Sequence, residues 1–117
     1  MGIKRNCTAV LEITVRFKLA DIQRLEFVFK SQPDSTAPEL LRLKYEKEKI
    51  PVKPGEQTED STVLSIKLSP EETFKFTKGT VFMDTKIVKI NGDVPETELV
   101  VIEDIEETLF GEVHKNA

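Results

Sequence analysis

Apolar and polar side chains alternate with a period of two through most of this chain. Over residues 7–17, CTAVLEITVRF, Cys7, Ala9, Leu11, Ile13, Val15 and Phe17 share one face, while Thr8, Glu12, Thr14 and Arg16 share the other. Val10 is the exception. A period of two, β-branched enrichment and one polar face predict a half-buried antiparallel strand. After a connection through KLADI, a second strand is expected over RLEFVFKS, where Leu25, Phe27 and Phe29 oppose Arg24, Glu26 and Lys30. The stretch SQPDSTAPE holds two prolines among Ser, Thr and Asp and reads as a loop. LLRLKYEKEK sets Leu41, Leu43 and Tyr45 against Arg42, Lys44 and Glu46. Its composition also suits a helix, but the alternation and the following Ile-Pro favour a strand.

Residues 46–60 are charged, carry Pro51, Pro54 and Gly55, and read as a solvated loop or hairpin tip. STVLSIKL is again strand-like, with Thr62, Leu64, Ile66 and Leu68 on one face. The next segment, LSPEETFKFTKG, breaks the pattern. Ser69 suits an N-cap, Pro70 the first helical position, and Glu72 stands at capping-box spacing from Ser69. Gly79 supplies a stop. One short helix is therefore expected between two strands. We read it as a crossover from one sheet to another, with Phe74 and Phe76 plugging the open end and Gly79 allowing sharp re-entry. TVFMDTKIVKI is a long strand, Asn91-Gly92 a hairpin signal, and ETELVVIE a last strand. DIEETLF predicts a short terminal helix before Gly111, and residues 112–117 a flexible tail.

About six strands without βαβ alternation predict one all-β domain over 1–117. The expected fold is an antiparallel immunoglobulin-like β-sandwich with one short crossover helix and a C-terminal helical turn. The length, 117 residues, is that of a single domain able to bury a core without metal or disulfide.

Charge and chemistry narrow the function by exclusion. A net charge of −4 and a pI near 5.1 argue against general nucleic-acid binding. No apolar run approaches a membrane span or a signal peptide core. Cys7, the only cysteine, cannot form an internal disulfide; its place on the apolar face predicts inert core packing. The only histidine, His114, sits in the polar tail, where no third group would hold it for catalysis. Two Cys or His residues cannot make a zinc site. Glu103, Asp104, Glu106 and Glu107 lack a calcium-loop pattern and read as a solvated acidic face of the terminal helix. Phosphate-cradling loops are absent. No catalytic, cofactor-binding or metal residue is therefore assigned, and no cofactor is expected. One oddity is Asp84 and Lys86, which share a face with Phe82 and Val88 in the long strand. Such a mixed face suits either a protein interface or pairing with charges on neighbouring strands, the second being favoured.

Residues 61–113 resemble the second half of small β-sandwich proteins from phage and prophage structural modules of Gram-positive bacteria, a pattern related to N-terminal domains of phage baseplate proteins. The likeness rests on Leu68, Ser69, Glu71, Glu72, Thr73, Phe76, Gly79 and Gly92. Many such proteins carry Gln and Arg where this chain has Asp84 and Lys86. The resemblance implies a non-enzymatic structural or adaptor protein of a virion, tail or baseplate. Other phage structural proteins or further copies of the chain would be its partners, without nucleic acid or membrane. The expected location is the virion or the bacterial cytoplasm. A carbohydrate- or receptor-binding module is the alternative, disfavoured by the absence of Trp and the single Tyr.

Overall fold

The computed structural model describes residues 2–113. Among them run β1 (Ile3–Lys4), β2 (Ala9–Val15), β3 (Ile22–Lys30), β4 (Glu39–Glu46), β5 (Thr62–Leu68), a helix α1 (Pro70–Phe74), β6 (Gly79–Lys89) and β7 (Val100–Glu106). Five strands form one curled sheet in the order β1-β7-β6-β3-β4; β2 and β5 pair in a second. All pairings are antiparallel except β1 with β7. The all-β, two-sheet architecture expected from the alternation is the one that forms.

The inward faces are those that the period of two marks. Leu25, Phe27 and Phe29 of β3, Val81, Met83 and Ile87 of β6, and Leu64, Ile66 and Leu68 of β5 are buried in one core. Tyr45 closes one side by meeting Phe27 edge-on at 6.2 Å between ring centres, a geometry that suits the ring quadrupoles. LLRLKYE is the strand β4, as its alternation favours.

The 46–60 stretch is only partly loop. Lys47–Lys49 make one 3-10 turn. Residues 51–53 then lie along β5: Pro51 O accepts from Ser65 N, and Lys53 N donates to Val63 O, both at 2.9 Å. The Gln57 side chain extends this pairing, accepting from Val63 N at 3.0 Å and donating to Lys53 O at 2.6 Å.

The helix α1 joins β5 of the small sheet to β6 of the large one, as a crossover should. Its capping box forms in full: Ser69 Oγ accepts from Glu72 N at 3.1 Å, and Glu72 Oε1 accepts from Ser69 N at 2.9 Å. Phe76 fills the core against Phe29, 5.2 Å between ring centres. Phe74 is half-buried beneath the Arg5 guanidinium instead. Gly79 enters β6 with φ +103°, a conformation that costs other residues dearly. At the far end of β6 the Asn91-Gly92 turn forms, with Gly92 N donating to Lys89 O and Gly92 taking the positive φ. Residues 93–99 then run outside any strand before β7 begins.

Three expectations need correction. Cys7 lies outside β2 and is exposed, not core. The preceding Asn6 has φ +64°, which turns the chain before the alternation begins. The final strand starts at Val100, later than ETELVVIE implies. The terminal helix over DIEETLF does not form; Asp104, Ile105 and Glu106 belong to β7. The reason is a bulge. β7 pairs Ile102 with Val81 and Ile105 with Gly79, so three steps on β7 match two on β6. Asp104 absorbs the extra residue at φ +60°, returning Ile105 to the core three positions after Ile102.

Candidate functional site

The residue types that carry chemistry are scattered. His114 lies outside the described residues, as do 115–117. Cys7 is held through its backbone: its N–H donates to Thr73 Oγ1 at 3.1 Å and its C=O accepts from the same hydroxyl at 2.8 Å. The acidic residues Glu103, Asp104, Glu106 and Glu107 are strung along β7 and just beyond it, all exposed. Glu107 pairs with Arg5. The N–H of Thr108 and then the Arg5 guanidinium hold its carboxyl below the usual carboxylate range. A depressed carboxyl favours the folded chain above the ordinary glutamate range, and that contribution fades as acid protonates it. Among the described residues, no three His, Cys, Asp or Glu side chains are grouped to hold a metal ion, and no helix is long and apolar enough to cross a membrane.

Among the surface concavities of the described residues, two lie along the sheets themselves. The first is a groove of about 470 Å³ on the outer face of the large sheet, bounded by the 31–38 loop and by Leu99. Phe82, Asp84 and Lys86 of β6 line it beside Glu26 and Val28 of β3 and Arg42 of β4. Glu26 is almost covered despite facing outward, with Lys44 at 3.4 Å and Arg42 at 3.8 Å from its carboxylate. Strand register sets Lys86 opposite Glu26 but Asp84 opposite Val28. The Asp84 carboxylate accepts from the N–H of Thr85 at 2.9 Å instead. Register thus gives Lys86 a carboxylate on the neighbouring strand and gives Asp84 an apolar side chain. The groove is amphoteric, with four carboxylates and three cations along its walls and apolar Val28, Phe82, Pro33 and Leu99 between them.

The second is a seam of about 210 Å³ between β2 and β7, lined by Leu11, Glu12, Ile13, Met83 and the run Val100–Glu103. Sequence reasoning did not single it out. Its only trace in the chain is Val10, the apolar residue on the polar side of β2, and Val101, its counterpart on β7.

Among the described residues both sheets also end in strands with an unpaired edge: β4 has β3 on one side and no strand on the other, and β2 has only β5. The outer surface of β4 presents Arg42 and Lys44, with Leu43 and Tyr45 half-buried on its inner side. No family model, curated protein or solved structure matches the chain.

Proposed function

We propose that the chain is a non-catalytic structural or adaptor module that works through protein–protein contact, in a phage or prophage virion, tail or baseplate assembly. The observation that supports contact is the set of strand edges left unpaired on both sheets, at β4 on one side and at β2 and most of β7 on the other. Such edges present rows of backbone donors and acceptors that another chain can complete. The phage setting rests on the likeness of residues 61–113, whose Ser69–Glu72 cap and Gly79 re-entry build the crossover described above.

The test has two readings taken together. Light scattering across a concentration series reports self-association, and fractionation of phage particles or lysates reports co-purification. Association with itself or with particle proteins is the expected result. A chain that stays monomeric at all concentrations and is absent from particles would overturn the proposal.

A further inference from the structure

We infer that the seam between β2 and β7 is a slot for one extended strand of a partner protein, apolar on its inward side and basic on its outward side. This rests on the contact-module reading and names the edge and the chemistry.

The cavity touches Leu11, Glu12 and Ile13 in succession, and Val100, Val101, Ile102 and Glu103 in succession, with Met83 as its floor. Consecutive strand residues point to opposite faces. A hollow touching every residue in a row therefore lies along the strand edges, where the backbone is displayed. The two edges are free to be paired. Among the described residues no backbone hydrogen bond joins β2 to β7, and β1 covers β7 only at Ile105 and Glu106. The Cα atoms of β2 and β7 stand more than 8 Å apart over nearly their whole length. Paired strands lie about 4.8 Å apart, so these two edges do not pair with each other.

The side chains tell the same story. Ile13 and Val100 point toward the core yet stay only half-buried, because nothing covers them along the seam. On the outer side Val10 and Val101 are 45% and 49% exposed. The volume, about 210 Å³, falls below the ~300 Å³ at which small-molecule sites begin; it suits a few side chains of an inserted strand. Glu12 and Glu103 stand on opposite walls and both face outward. Glu12 is paired with Lys53 at 3.2 Å across an exposed surface bridge, a weak and exchangeable contact. An incoming strand with lysine or arginine on its outward side therefore meets the Glu103 carboxylate on one flank and can compete with Lys53 for Glu12 on the other. The chain's own exposed apolar arm, Leu109 and Phe110, is a poor occupant, since Glu107 and Glu112 would bring further carboxylates to these walls.

Synthetic peptides titrated into the full chain test this. A peptide alternating valine and lysine should bind, one alternating valine and glutamate about tenfold more weakly or worse, corresponding to at least one decade in Kd. One alternating serine and lysine should not bind. In a Glu12→Lys, Glu103→Lys double variant the order of the two valine peptides should invert. Both positions are exposed; the change also removes the surface Glu12–Lys53 pair, worth about 0–1 kcal/mol, so the fold should tolerate it. Amide hydrogen exchange should slow within 10–14 and 100–104 when the valine–lysine peptide is bound. Failure of that peptide to bind, or indifference to the double variant, would overturn the inference. Slowed exchange at β4 instead would overturn the seam while leaving the contact-module reading standing. Slowing at the seam at high protein concentration without peptide would identify a second copy as the occupant and overturn the basic partner.

Discussion

The crossover end and the β2–β7 seam are both places where one sheet gives way to the other, and they are finished in opposite ways. At the crossover, side chains satisfy the backbone that strand pairing leaves over. Thr73 Oγ1 bridges both backbone groups of Cys7, Arg5 donates to Phe74 O at 2.7 Å and pairs with Glu107, and Phe76 closes the core. At the seam no backbone bond crosses among the described residues, and core-facing Ile13 and Val100 are only partly buried. The chain therefore has the means to seal a sheet boundary and uses them on one side. Stability should be concentrated at the crossover and sparse along the seam.

The largest effect should come from Phe76→Ala. It removes a fully buried ring that contacts Phe29 and sits where α1 hands the chain to β6. Truncation of a buried Phe costs about 3–5 kcal/mol, transfer and cavity together. Urea unfolding should show that loss in the midpoint; a loss below about 1 kcal/mol would mean that Phe76 does not close the core.

Next comes Thr73→Val, which keeps the shape and removes the hydroxyl. Thr73 is fully buried and its hydroxyl serves both Cys7 backbone groups. Leaving such groups unpaired costs about 1–3 kcal/mol. The hydrogen-exchange signature separates this from simple loss of packing: the Cys7 amide should lose protection while β3 amides keep theirs.

The two substitutions also mark what can be read along the chain. The cap of α1 was legible because Ser69, Pro70 and Glu72 are neighbours in sequence and each acts on the backbone beside it. The alternation that assigns Phe27, Phe29, Leu64 and Ile66 to the core was legible for the same reason. Thr73 and Cys7 are 66 positions apart, and only the fold brings them together; with one turn of chain at Asn6 the cysteine leaves the face that its parity assigns. The helix expected over DIEETLF before Gly111 is instead the end of β7, because a bulge at Asp104 lets the strand run on and returns Ile105 to the core three residues after Ile102. The seam was invisible because it consists of pairing that does not occur, and alternation within a strand says nothing about whether its edge is occupied.

The bulge gives a smaller and two-sided effect. Asp104 holds φ +60°, a left-handed conformation that costs non-glycine residues about 1–2 kcal/mol, less for Asp than for a branched side chain. Asp104→Gly should leave thermal stability unchanged or raise it by up to about 1 kcal/mol, and Asp104→Val should lower it by about that much or more. Equal effects from the two would show that β7 follows a regular path and that the spacing of Ile102 and Ile105 has another cause.

The smallest effect on stability should come at the seam itself, and it sharpens the contrast most. Val10 and Val101 are exposed on their strands and support no core contact, so Val10→Thr and Val101→Thr should each stay within about 0.5 kcal/mol of the parent in urea unfolding. Threonine keeps the β-branched shape that strands favour and removes one methyl of apolar surface. If the seam is an acceptor edge, the pair of substitutions should weaken the valine–lysine peptide while leaving the unfolding midpoint where it was. Phe76→Ala should behave in the reverse manner, with lowered stability and unchanged peptide affinity at temperatures where the chain is still folded. A loss of stability at Val10 or Val101 comparable to that at Phe76 would mean that the two boundaries are built alike, and the division between a sealed end and a receptive edge would no longer hold.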